Sequence, residues 1–195
     1  ANLPDPVETI DPAKGGSPQD YFNTVLYTGN GATTHAISGV GFQPDWVWGK
    51  VRSKANTFWA FDSVRGATKQ MSPDLNHAES TQATMLKAFG SDGFSMGNDG
   101  PGNENTQTFA AWNWKTGTAF SNDASSTSVG SIDSTGSVNT DVGFSIMTYT
   151  GNGTAGASIA HGLGAEPKWI IAKRRNDTGH WRVQHGALTY ARYMS

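Results

Sequence analysis

Tyr27-Thr28-Gly29-Asn30-Gly31 returns later in the chain as Tyr149-Thr150-Gly151-Asn152-Gly153. The match continues outward: Ile37 has its counterpart in Ile159. After one inserted residue, Gly39, Gly41, Pro44, Trp46, Lys50 and Arg52 have theirs in Gly162, Gly164, Pro167, Trp169, Lys173 and Arg175. Twelve identities in about 37 positions exceed coincidence. The period of about 122 residues is far longer than the roughly 20–50-residue units of solenoids and propellers, so the chain carries a duplicated domain or half-domain.

The first copy occupies residues 21–116 and the second 143–195, which lacks a counterpart to residues 67–115. Either the chain is a piece of something longer, the reading we favour, or another part of the structure completes the second copy. Residues 117–142, dominated by Ser, Thr, Gly, Asn and Asp, suit a linker or short edge strands and turns. Residues 1–20 hold Pro4, Pro6, Pro12 and Pro18. Proline fixes φ and lacks a backbone donor, so this stretch reads as an extended arm. It is either a floppy leader or an arm ordered against a neighbouring subunit.

Period-2 alternation between turn signals predicts strands at 23–28, 33–38, 45–53, 57–62, 93–96 and 108–115. Strands at 144–150, 157–160, 168–175 and 181–185 repeat the first four. Asn and Gly tolerate positive φ, so Gly29-Asn30-Gly31 reads as a tight turn pairing 23–28 with 33–38. Only 74–89 could hold a helix, and its Ser and Thr content favours a loop with one turn. The fold class is therefore all-β: an antiparallel β-sandwich, jelly-roll or lectin-like, with an extended N-terminal arm and an internal duplication.

The two copies also suggest which faces are buried. Trp46 and Trp48 align with Trp169 and Ile171, and Phe58 and Ala60 with Trp181 and Val183; apolar in both copies, these faces are expected to meet the core. Trp59 and Phe61 align with Arg182 and Gln184, so their face is expected at the surface.

Charged residues make up 15% of the chain against about 25% in an average soluble protein. That excludes a charge-rich disordered tail, and the Gly/Ser/Thr/Asn bias excludes a helical bundle. A net charge of −2 gives no electrostatic case for nucleic acid or an anionic membrane. No apolar run approaches the ~20 residues of a spanning helix, so membrane insertion is not expected. Residues 1–20 lack the basic and apolar regions of a secretion signal. With no Cys, disulfides, thiolate metal sites and cysteine nucleophiles are excluded. Such a composition suits a stable extracellular particle assembled inside a cell.

Candidate chemistry is sparse. Gly151-Asn152-Gly153-Thr154-Ala155-Gly156 spells G-x-G-x-x-G, but a strand-like segment follows where the dinucleotide fingerprint needs a helix. The five His show no zinc spacing. Asp99, Asn103 and Glu104 lie in an oxygen-rich run that could hold calcium, without EF-hand spacing. There is no G-x-S-x-G elbow, and the two copies share no carboxylate, so neither serine hydrolysis nor a glycosidase pair is supported. We expect no catalysis, no cofactor and no resident metal. The better candidates are aromatic: Trp112 and Trp114, about 6.8 Å apart on one strand face, and Trp59 with Phe61. Flat rings beside polar groups suit sugars, and the same rings suit a subunit interface or, for Trp112 and Trp114, core packing.

Five blocks in order, 27–31, Gly-Phe-Gln-Pro-Asp-Trp-Val-Trp at 41–48, 61–69, Ser-Asp-Gly-Phe-Ser-Met-Gly at 91–97 and Trp-Asn-Trp-Lys at 112–115, resemble an uncharacterised domain. That domain is found in tail-fibre and other virion-surface proteins of marine tailed phages, cyanophages and pelagiphages among them. The resemblance covers about residues 21 to 188 and brings no known catalytic or binding residues. It implies a virion location, assembly in the host cytoplasm, and a trimeric fibre whose arm meets other virion proteins. Host attachment through a surface glycan is the expected role. The alternatives are a capsid-decoration or tail-assembly protein without a ligand, and a carbohydrate-active enzyme fragment. In such proteins the second half normally continues further than this sequence does.

Overall fold

The computed structural model describes residues 8–187 and 192–194. The chain is all-β, built from several antiparallel sheets with only short helical turns. Its first half carries β1 (Phe22–Thr28), β2 (His35–Ile37), β3 (Trp46–Val51), β4 (Trp59–Asp62), β5 (Lys69–Gln70) and β6 (Ser80–Thr81). Next come β7 (Leu86–Gly90), β8 (Gly93–Met96), one helical turn α1 (Gly100–Asn103) and β9 (Thr108–Trp114). The connection holds β10 (Thr118–Asn122), α2 (Ala124–Thr127) and β11 (Ser134–Asn139). The second half adds β12 (Phe144–Tyr149), β13 (Trp169–Ala172), β14 (Trp181–His185) and β15 (Arg192–Met194).

Two sheets of the first half bury a shared core. The four-stranded sheet runs β1-β9-β3-β4, and β2-β8-β7 is the second layer. Period-2 alternation sends Val25, Ala111, Val47, Phe61 and Trp59 inward, where they pack with Ile37, Val40, Phe42, Met85, Leu86, Phe94 and Met96. Gly49 lies opposite Trp59, and a Cβ there would come within 2.0 Å of the indole, so only glycine leaves room for the ring.

Three expectations are corrected here. Trp59 and Phe61 are not at the surface; both are 0% exposed at the heart of the core. Their counterparts Arg182 and Gln184 are polar because β13 and β14 have no second layer like β2-β8-β7 across that face among the described residues. The chain also does not turn back from β1 into β2. β1 pairs with β9, while β2 joins β8 in the other sheet, so Gly29-Asn30-Gly31 is a corner between layers. Residues 8–20 do not run extended but form three 3-10 turns, two of which begin at Pro12 and Pro18, the position where proline's missing donor costs nothing. Residues 1–7 of the arm lie outside the described residues.

The connection forms strands rather than a plain linker: β10-β11-β12 is a sheet, and β13-β14-β15 another. Both are tied to the first half. Trp181 is buried, its indole N–H donating to Ser72 O and Leu75 O at 3.1 Å each. Glu79 accepts from Arg65 Nη1 at 3.1 Å and from Arg175 Nε at 2.9 Å, while its N–H donates to Arg175 O. At the other end Thr116 Oγ1 and Ser137 Oγ lie 2.6 Å apart.

Candidate functional site

The outer face of the four-stranded sheet is where large rings reach the surface. Register places Phe22, Trp114, Trp46 and Asp62 in one row across the sheet, and Thr24, Trp112, Trp48 and Ala60 in the next. Trp46, Trp48, Trp112 and Trp114 are half-buried and Phe22 is exposed. The rings stack on one another. Trp46 and Trp48 are nearly parallel with centroids 6.3 Å apart; Trp46 and Trp114 are 5.7 Å apart, Phe22 and Trp114 4.9 Å. Phe58 meets Trp48 edge-on at 6.1 Å, with the Lys50 ammonium 4.6 Å above the Phe58 ring. Phe144 covers one end of the row, 6.0 Å from Trp46 and 6.4 Å from Trp114.

Trp112 and Trp114 thus stand together as expected, on the outer face. Trp59 and Phe61, buried in the core, are not part of it. Trp46 and Trp48, expected inside, take their place; the inward side of β3 belongs to Val47, Gly49 and Val51. The indole N–H groups of Trp46 and Trp48 are themselves buried and have no hydrogen-bond partner among the described residues.

The oxygen-rich run is a structural corner. The Asn103 amide is fully buried and donates to Asn30 Oδ1, Ala32 O and Gly97 O, while its Oδ1 accepts from Asn30 N and sits 2.8 Å from His35 Nδ1. Asn103 thereby holds the β1–β2 corner against α1. Glu104 pairs with Lys54, and Asp99 O accepts from the N–H of Gly102 and Asn103. Among the described residues no group of three or more His, Asp or Glu gathers as a metal site needs.

The perturbed titratable groups have structural causes. Burial pushes the Tyr27 hydroxyl well above its usual range while it donates to Gly102 O at 2.7 Å. Backbone N–H groups of Gly39 and Gly41 hold Asp92 below the usual carboxylate range. For Glu79 burial alone acts upward, but hydrogen bonds from Arg175 and Arg65, with their charges, bring it down. None of these groups touches the aromatic face. A polar cleft of about 530 Å³ lies elsewhere, lined by Ser121, Asp133, Thr135, Thr148 and Arg175, among others.

Residues 17–195 match a domain of unknown function, DUF7483, and the chain belongs to that family. Comparison with curated proteins and with solved structures returns no match. No helix among the described residues is long and apolar enough to cross a membrane.

Proposed function

We propose that the chain is a non-catalytic attachment module of a tailed-phage particle, a tail fibre or host-attachment protein that binds a cell-surface glycan. The resemblance of its five sequence blocks to virion-surface proteins supports the setting. The observation that carries the binding role is the outer face of the β1-β9-β3-β4 sheet, four half-buried Trp in two rows. Rings of this kind stack on the C–H face of a sugar. Each such contact is weak, and presentation on an oligomer, trimeric by the same resemblance, multiplies it.

A second reading is favoured by Phe144, which already packs on two of the Trp rings. The aromatic face would then seat a neighbouring subunit in a decoration or tail-assembly protein without a ligand, since Trp is enriched at such interfaces. Trp48→Ala and Trp112→Ala separate the two. Loss of binding on a glycan array with unchanged mass by light scattering supports attachment. Loss of oligomer with no glycan signal from the parent chain supports the structural reading.

A further inference from the structure

We propose that the cleft between the first half and the β10-β11 pair binds a sugar ring that carries hydroxyls and no acid group, at a site separate from the aromatic face. The cleft measures about 430 Å³, within the roughly 300–1,000 Å³ of small-molecule sites. Gln43, Asp45 and Ser63 line it from the first half, and Ala119, Thr135 and Ser137 from β10 and β11.

Two buried side chains give the cleft a directed chemistry. Asp45 is 6% exposed; its Oδ1 accepts from Ser63 Oγ at 2.7 Å and its Oδ2 from the N–H of Thr116 at 2.8 Å. A carboxylate offers about four lone-pair sites, so Asp45 has acceptor capacity to spare. Ser137 is 7% exposed. Its Oγ accepts from Thr116 Oγ1 at 2.6 Å and from the N–H of Gly117 at 3.3 Å, which fills both lone pairs and leaves its own proton to donate. Thr116 binds both groups, so a spare acceptor and a spare donor are gathered on one residue.

A hydroxyl satisfies both at once, donating to Asp45 and accepting from Ser137. An anion would meet the Asp45 carboxylate with no Lys, Arg or His lining the cleft to offset it. An ammonium group has no lone pair for the Ser137 proton. Gln43 and Thr135, both exposed, add an amide and a hydroxyl for other positions of the same ring. Asp45 and Ser63 close the β3-β4 hairpin; in the β13-β14 hairpin, of the same register, Lys168 and Gly186 hold their places. The chain therefore carries this carboxylate and hydroxyl pair once.

The lining residues fall between 43 and 137, and β11 is bonded on both edges. A strand joining the free edge of β12 would lie beyond β12, away from the cleft. In the first half Val25 and Tyr27 pack toward the second layer. Their counterparts are Met147 and Tyr149, and Met147 pairs with Gly136, between Thr135 and Ser137, so they take the opposite face of the sheet from the cleft. A second layer on that face would leave the cleft open.

Saturation-transfer NMR tests the site, with D-glucose, D-galactose, D-mannose and D-glucuronate titrated separately into the whole chain. Expected are saturable binding of at least one of the three hexoses, and glucuronate binding at least tenfold weaker. Asp45→Asn and Ser137→Ala should each weaken hexose binding roughly tenfold. Ala119→Trp should abolish it by filling the cleft from an exposed position on an edge strand, without touching a buried group. Three results would overturn the proposal. One is no saturable binding of any hexose, as for a cleft that holds only water. Another is hexose binding that Ala119→Trp leaves intact and Trp48→Ala removes, which would put the sugar on the aromatic face and leave the attachment reading standing. The third is glucuronate binding as tight as that of the hexoses.

Discussion

Val47 and Ile170 occupy the same place in hairpins of identical register, and a matched pair of truncations tests why their partners differ. Val47 is fully buried between the two layers, whereas Ile170 is 45% exposed on β13. Val47→Ala removes two carbons, worth about 1.6 kcal/mol at ~0.8 per buried carbon. The cavity left in a packed core raises the loss to about 2–3 kcal/mol. At roughly 2–4 °C per kcal/mol for a chain of this size, Tm falls by roughly 4–12 °C. Ile170→Ala removes three carbons, so equal surroundings would make it the costlier change. With β13 uncovered, the loss should stay within about 0.5 kcal/mol. Guanidinium unfolding followed by far-UV circular dichroism compares the two variants. A loss at Ile170 equal to or above that at Val47 would refute the reasoning, and with it the account of why Trp59 and Phe61 become Arg182 and Gln184.

Gly49→Ala should destabilise by about 1–3 kcal/mol, because its Cβ would enter the Trp59 ring; thermal unfolding reads this, and Trp59→Leu in the same chain should relieve part of it. Asn103→Ala strips partners from Asn30, Ala32 and Gly97 at a buried corner, a loss of about 3 kcal/mol visible as a lower denaturant midpoint, with calcium restoring none of it. Glu79 has a lower pKa folded than its ordinary 4.5, so its contribution is complete above that value and disappears as pH falls through the folded one. Glu79→Gln should therefore lower Tm near pH 7 and flatten the acid limb, the two proteins converging once pH has fallen through the folded value in a Tm-against-pH series.

The strands were legible because their alternation and punctuation are local. Gly93–Met96 and Trp181–His185 fall where the pattern puts them, and β1, β3, β9 and β12 within a few residues. Pairing was not legible. Gly29-Asn30-Gly31 has the composition of a hairpin turn, but Asn103, some 70 residues away, binds Asn30 and turns the chain into the other layer. At 149–153 the same five residues close no hairpin either: β12 pairs with β11, and Ile159 bridges Ile132. The strand content of 118–139 was hidden for a related reason: Ser, Thr and Gly can line an edge strand or a linker equally well, and pairing with β12 decides.

The aromatic face was misassigned by one inference, and the correcting signal lay beside it. Comparing the copies assumes that equivalent strands face equivalent surroundings. That fails when only one hairpin lies under a second layer, and then polar substitution in the uncovered copy makes a buried face look external. Parity within β3 escapes the assumption. Trp46 and Trp48 share their side with Lys50 and Arg52, and cations matched by Lys173 and Arg175 belong on a solvent-facing side. The opposite side reads Val47, Gly49, Val51, small and apolar, and the glycine is what lets Trp59 lie flat against the strand. A face that starts with two large apolar side chains and ends with two cations, as Trp46, Trp48, Lys50 and Arg52 do and as Trp169, Ile171, Lys173 and Arg175 do, is one the protein keeps within reach of water, and on the proposed reading its rows of rings are where a sugar would lie.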